Sequence, residues 1–182
     1  MILTATRIAG VTIVESEPIA DDRGAFARTY DGALFREAGL IADFPEHSIA
    51  TNTLAGTLRG LHYQIGYPPE AKIVRCTYGS VYDVVVDLRR SSATFGAWEA
   101  FTLDWEAYRA LYIPPGCAHG YQTLESHVVV AYMISAPYAP SAARGINWAD
   151  PRLAIPWPLP VTSISPRDKT LPYLDATELP DP

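Results

Sequence analysis

The chain has 182 residues, enough for one domain with a sizeable core and too few for two ordinary ones. Its 48% hydrophobic and 19% charged residues belong to a globular protein and exclude a disordered one. A net charge of −6 with dispersed basic residues excludes the basic stripe of a nucleic-acid binder, though single cations remain available to a small anion.

Taken in chain order, the pattern is mostly β. The N-terminal "MILTATRIAGVTIVESEPI" holds neither a signal-peptide apolar run nor a cleavage site, and "GVTIVESEPIAD" alternates as a strand does. One short helix is expected in "GALFREAGL", with Leu34, Phe35, Ala38 and Leu40 on its apolar face. "HSIATNTLAGTLRGLHYQ" reads as two strands around a turn at Ala55-Gly56. "AKIVRCTYGSVYDVVVDLR" reads as a hairpin closed by Tyr78-Gly79-Ser80. "WEAFTL", "ALYIPPG" and "HVVVAYMISAPYA" add strands at the spacing of a sandwich or barrel, and a helical turn is expected within "TLDWEAYRALYIP". The segment from about 147 to 182 is too rich in proline for a central strand and is expected to wrap one β-rich domain spanning 1–182. Cys76 and Cys117 lie in apolar runs and read as buried free thiols. No window approaches a membrane span, so a cytoplasmic protein with no membrane or nucleic-acid partner is expected.

Metal chemistry is the first candidate, because "LHYQ" and "PPGCAH" resemble the two histidine motifs of cupin barrels. A metal cupin has a second histidine where this chain has Gln64, and a carboxylate where it has Pro68 and Pro69. His62 and His119 alone make too small a ligand set, so no metal is expected. Nucleophilic hydrolysis and nucleotide loops fail for want of Gly-x-Ser-x-Gly or a glycine-rich phosphate cradle. Proton transfer fits better: it needs a base near neutrality, an opposing acid and a cation for developing negative charge. His62, Tyr132, Arg59 and Lys72 are the residue types concerned. Taken singly, each has a plainer role. His62 and Tyr132 could be hydrogen-bonded core residues, Lys72 could snorkel to solvent, and Asp83 and Asp87 could pair with Arg89 or Arg75.

Together the residues resemble a family. "DDRGAF", "GTLRGLHYQ", "AKIVRCTYGSVYDVVVDLRRSSATFG", "LYIPPGCAHGYQTL", "YMISAPYAPSAARGINWADPRLAIPWP" and "ISPRD" are similar to the dTDP-4-dehydrorhamnose 3,5-epimerases, from about Thr12 to Leu174. That resemblance implies an all-β, cupin-type jelly-roll sandwich or barrel with a few short helices. It also implies a homodimer with exchanged N-terminal strands and no cofactor. The implied substrate is a nucleotide-diphospho-4-keto-6-deoxy sugar, inverted at the carbons flanking its ketone. By resemblance His62 is the base, Asp168 orients it, Lys72 stabilises the enolate, and Tyr132 returns the proton from the other face. Arg23 and Arg59 correspond to diphosphate-binding residues. Phe26, His119 and Tyr138 correspond to substrate contacts, and Arg167 stands where the family has lysine.

The chain also departs from the family. Arg28, His47, Ile49 and Ala143 stand where well-known members have Glu, Gln, Asn and Glu against the nucleotide or substrate. Lost polar contacts redirect specificity strongly. The leading expectation is 3,5-epimerisation of dTDP-4-dehydro-6-deoxyglucose. The alternatives are inversion at C3 or C5 alone on another sugar nucleotide, such as a GDP- or CDP-linked hexose or heptose, and a non-catalytic sugar-nucleotide-binding cupin. A 3,4-ketoisomerase and a metal-dependent cupin oxygenase are weaker readings.

Overall fold

The computed structural model describes residues 1–66 and 68–180, so the last two residues of the 147–182 segment lie outside the described residues. Strands β1 (Ile2–Ala5), β2 (Thr12–Glu15), β5 (Glu46–Asn52), β7 (Lys72–Tyr78), β10 (Arg109–Ile113) and β12 (Val128–Ile134) form one sheet, in the order β1-β2-β10-β7-β12-β5. The second sheet contains β6 (Thr57–Gln64), β8 (Ser80–Asp87), β9 (Trp98–Asp104), β11 (Cys117–Thr123) and β13 (Ala143–Gly145), in the order β13-β6-β11-β8-β9. A short β14 (Ser163–Ile164) joins β6 in parallel, and every other pairing is antiparallel. This is the all-β jelly-roll sandwich that the sequence predicts.

Period-two alternation explains how the sheets face each other. Val74 and Cys76 of β7 and Val130 of β12 meet Val81 and Val85 of β8 and Tyr121 of β11 in the central core. The intervening residues of β8, Val84 and Val86, pack on the outer side against Leu153, Ile155 and Leu174 of the tail. A strand covered on both faces reads as the unbroken apolar run seen in "VYDVVVD". Both cysteines are buried free thiols, as expected, and burial pushes Cys76 up to about 11 and Cys117 up to about 12.

Three local expectations need correction. The turn at Tyr78-Gly79-Ser80 does not close a hairpin: β7 and β8 leave it into opposite sheets. Gly79 has φ +75° at this corner, and a Cβ there would lie 2.9 Å from Val128 Cγ2. The turn expected at Ala55-Gly56 is present between its two strands, and it too carries the chain from β5 in one sheet to β6 in the other. Alternation specifies a strand and its buried face, but not its hydrogen-bonded neighbour. The stretch between β9 and β10 is a turn at 105–108 rather than helical, with Ala107 N–H donating to Asp104 Oδ1 at 2.7 Å. Helix α1 (Gly32–Glu37) does form, capped by the Asp31 side chain. Phe35 is its buried anchor, edge-on to Tyr30, Phe44 and Tyr112, while Ala38 is an exposed cap residue rather than part of the apolar face.

Asp87 ends β8 and organises the loop after it. Its carboxylate accepts bonds from Arg89 Nε (2.8 Å), Ser92 Oγ (2.6 Å) and Thr94 Oγ1 (2.7 Å). Burial alone would raise its pKa, but these donors prevail and hold it at about 2. Against an ordinary 3.8, that shift contributes about 2 kcal/mol of stability, fully present above the unfolded-state value. We expect this contribution to disappear as pH falls from about 4 to about 2. In denaturant titrations Asp87→Asn should lose stability at neutral pH, and its difference from the wild type should shrink across that window.

Candidate active site

A cavity of about 600 Å³ lies between the sheets, walled by β6 and β11 on one side and by β7 and β12 on the other. Strict alternation along β6 would send Arg59 and His62 to opposite faces. Both line the cavity because the β6–β11 register shifts between His119 and Tyr121. Gly60 permits this shift. Its φ is +124°, and a Cβ would fall 2.6 Å from Gly120 Cα and 2.9 Å from the His119 carbonyl oxygen. The two backbones touch here because neither residue carries a side chain.

His62 Nε2 lies 2.7 Å from Asp168 Oδ1. Asp168 belongs to helix α2 (Pro166–Lys169), and its backbone N–H is capped by Ser165 Oγ at 3.0 Å. Its other oxygen accepts the Gly60 N–H at 3.3 Å. Burial would raise the Asp168 pKa, but the His62 contact, the Gly60 N–H and the Ser165 side chain bring it below the ordinary value. An ionised carboxylate only accepts, so His62 carries its hydrogen on Nε2 and Nδ1 is its basic nitrogen.

Tyr132, on β12, faces this pair from the other wall, its ring edge-on to His119 with centroids 6.1 Å apart. Burial, Tyr121 and the Asp83 carboxylate lift the Tyr132 phenol well above its usual range, so it stays protonated at neutral pH. His119 Nε2 is 2.8 Å from Asp83 Oδ2, with Asp83 fully buried. Asp83 therefore pairs with His119 and with neither Arg89 nor Arg75, while Asp87 takes Arg89. Burial raises the Asp83 pKa against the opposing pull of His119.

Lys72 does not snorkel to solvent. It lines the cavity, and its Nζ is 2.5 Å from Glu70 Oε1, both side chains being largely buried. Arg59 Nε donates to Asn52 Oδ1 at 2.8 Å, and Arg59 Nη2 to the Thr51 carbonyl at 3.3 Å. Neither Arg59 nor Arg167, which also lines the cavity, has a carboxylate partner among the described residues. Two unpaired guanidinium groups beside one cavity suit an anionic ligand with several oxygens.

The remaining expected residues are scattered. Arg23 and Phe26 sit on a separate hairpin of β3 (Ile19–Asp21) and β4 (Gly24–Phe26), outside the cavity walls. Phe26 is 76% exposed, and Arg23 is paired with Asp21. Arg28 is held by Asp31, and Tyr138 is exposed beside Glu46. His47 Nε2 contacts the Phe44 carbonyl at 3.1 Å and lines a neighbouring hollow with Arg75, while Ile49 borders both spaces. The sequence reading missed Glu70, Asp83 as the partner of His119, Asn52 and Tyr121. Glu70 had a usable signal: a buried lysine demands a counter-charge, and Glu70 stands two residues away, on the same side of an extended chain.

A family model described as dTDP-4-dehydrorhamnose 3,5-epimerase matches residues 5–176. The Pseudomonas aeruginosa dTDP-4-dehydrorhamnose 3,5-epimerase is 42% identical over 160 residues, covering 86% of this chain and 87% of the relative. The Legionella pneumophila dTDP-6-deoxy-D-glucose-3,5-epimerase, solved with dTDP-4-keto-L-rhamnose, superposes with a TM-score of 0.92 at 34% identity, covering 99% of this chain and 97% of that one. A 3'-monoepimerase from Streptomyces bikiniensis, solved with dTDP-quinovose, gives a TM-score of 0.88 at 33% identity, covering 94% and 87%. The chain belongs to the dTDP-4-dehydrorhamnose 3,5-epimerase family.

Because the Gly60 contact is backbone on backbone, no side-chain rotation relieves an added methyl. Gly60→Ala should lower stability by about 3 kcal/mol or more in chemical unfolding. Gly24→Ala, which has the same φ of +124° but open space around its Cβ, should cost clearly less. Equal losses at the two glycines would assign the effect to backbone conformation rather than to the close approach.

Proposed function

We propose that the protein epimerises a nucleotide-diphospho-4-keto-6-deoxy sugar, inverting carbons beside the ketone by removing and returning a proton. The observation that carries this reading is the placement of an Asp168-backed imidazole and a protonated phenol on facing walls of one cavity. Inversion requires a base and an acid on opposite faces of the carbon.

The C3 and C5 protons are acidic because the C4 carbonyl delocalises the resulting carbanion as an enolate. His62 takes such a proton on Nδ1, and Asp168 supports the imidazolium that forms. The Lys72 ammonium stabilises the enolate oxygen. Tyr132 donates to the carbon from the far side. Arg59 and Arg167 receive the diphosphate, and His119 contacts the sugar. Base, acid and oxyanion partner all come from the chain, so the reaction needs no metal or cofactor.

The substrate that best fits the family is dTDP-4-dehydro-6-deoxyglucose, inverted at both C3 and C5. A second reading, inversion at one carbon, is favoured by the similarity to the 3'-monoepimerase and by the residues where this chain departs from its family. Arg28 and His47 are engaged by Asp31 and the Phe44 carbonyl, and Ile49 offers no polar atom to a base. We further propose a cytoplasmic homodimer. In it the exposed β3–β4 hairpin, with Ile19 and Phe26 both 76% exposed, exchanges between subunits and brings Arg23 and Phe26 to the other copy's cavity.

Solvent deuterium exchange tests the chemistry. The wild type should incorporate deuterium at C3, C5 or both of a dTDP-4-keto-6-deoxy sugar. His62→Ala should reduce incorporation by roughly a hundredfold or more. Tyr132→Phe should retain exchange and lose inversion. Undiminished exchange in His62→Ala would assign the base elsewhere, and tight binding without any exchange by the wild type would favour a non-catalytic cupin.

A further inference from the structure

Asn52 ends β5 and is only 4% exposed. Its Nδ2 donates to two backbone carbonyls, Ala50 at 3.3 Å and Val128 at 3.2 Å. Carbonyl oxygens only accept, so these contacts fix which way round the side-chain amide lies. Asn52 Oδ1 is thereby turned toward two donors, Arg59 Nε at 2.8 Å and the Tyr121 hydroxyl at 3.2 Å. The position needs a donor at one end of a short side chain and an acceptor at the other, which asparagine supplies.

The consequence falls on Arg59. A guanidinium carries five N–H donors. Asn52 Oδ1 takes the one on Nε, and the Thr51 carbonyl takes one on Nη2 at 3.3 Å. Both Nη1 hydrogens and the second on Nη2 are left for a ligand. The acceptor is also neutral, so Arg59 is held without a carboxylate cancelling its charge. A carboxylate in this place would compete with phosphate for Arg59, and would set an oxygen against the Ala50 and Val128 carbonyls.

We propose that Asn52 is a positioning residue for diphosphate binding: it grips Arg59 by the Nε side and leaves the Nη1 end to the phosphate oxygens. This role rests on the function argued above, with Arg59 on the diphosphate. Arg59 is an exposed side chain on β6 of the second sheet, whereas Asn52 belongs to the first. Its Nδ2 bond to Val128 ties it to β12, the strand that carries Tyr132. One amide therefore sets the phosphate anchor on one wall relative to the acid-bearing strand of the other. Holding a long side chain in place beforehand also spares its rotamer entropy when the ligand arrives.

Calorimetry with dTDP measures the effect. Asn52→Ala should weaken dTDP binding about tenfold. In turnover the loss should appear in KM rather than in kcat. A double-mutant cycle with Arg59→Ala is the deciding experiment. If Asn52 acts through Arg59, Asn52→Ala costs nothing further once Arg59 is gone. A general structural defect would weaken dTDP equally in both backgrounds, and that result overturns the proposal.

The wild type alone supplies a second reading that does not depend on how Asn52→Ala folds. With isotope-labelled arginine, and Arg59→Lys for assignment, dTDP should move the Arg59 Nη resonances and leave its Nε–H in place. An Nε–H that shifts as far as the Nη groups puts phosphate on the side held by Asn52, and overturns the proposal. A wild type that binds none of dTDP, GDP or CDP overturns the function on which this role rests. Binding with additive losses in the cycle overturns the role alone.

Discussion

The contact between His62 and Asp168 joins residues 106 apart in sequence, and much of the architecture serves to make it. Asp168 reaches β6 because the tail has already crossed the outer face of the second sheet. On that face Leu153, Ile155 and Leu174 cover Val84, Val86 and Leu61. Short polar anchors hold the route: Asp150 accepts the Leu174 N–H at 2.6 Å, and Trp98 Nε1 donates to the Leu153 carbonyl at 2.7 Å. The burial that stabilises the sandwich therefore also delivers the carboxylate. Ser165 at the α2 cap and the Gly60 N–H then fix its orientation.

The sandwich arrangement gives the cavity two walls of different chemistry. The second sheet contributes the His62–Asp168 pair, His119 with buried Asp83, and Arg59. The first sheet contributes Tyr132 and the Lys72–Glu70 pair. Burial acts on the two walls differently. It keeps the Tyr132 phenol neutral, while specific donors overcome it at Asp168. A carboxylate that remains ionised and a phenol that remains protonated are the states a base–acid pair needs at neutral pH.

Much of this was legible in the sequence, for reasons that differ from element to element. The strands of "KIVRCTY" and "SVYDVVVD" show in their β-branched alternation, and α1 shows through Phe35. Their pairing did not show, because a glycine corner between sheets and a hairpin turn look alike locally. At the site, His62, Lys72, Tyr132 and Asp168 stood out only as parts of long family motifs. Singly they resembled core residues. The partners of His119, Lys72 and Arg59 were hidden for a simpler reason. Asp83 lies 36 residues from His119, Asn52 and Arg59 belong to strands of different sheets, and Glu70 looked like a loop residue. Arg23 and Phe26 were legible as motif residues, yet within one chain their hairpin stands apart from the cavity.

What sets this chain apart from the familiar family pattern lies at Arg28, His47 and Ile49 rather than at His62, Lys72, Tyr132 or Asp168. The central claim, that one cavity presents a base and an acid to opposite faces of a sugar, is open to direct inspection. The decisive measurement is a crystal structure of the protein with a bound dTDP-linked 6-deoxy sugar. The account predicts the sugar ring between His62 Nδ1 and the Tyr132 hydroxyl, on opposite faces, with the diphosphate on Arg59. A sugar with both groups on one face, or a diphosphate bound away from Arg59, would contradict it.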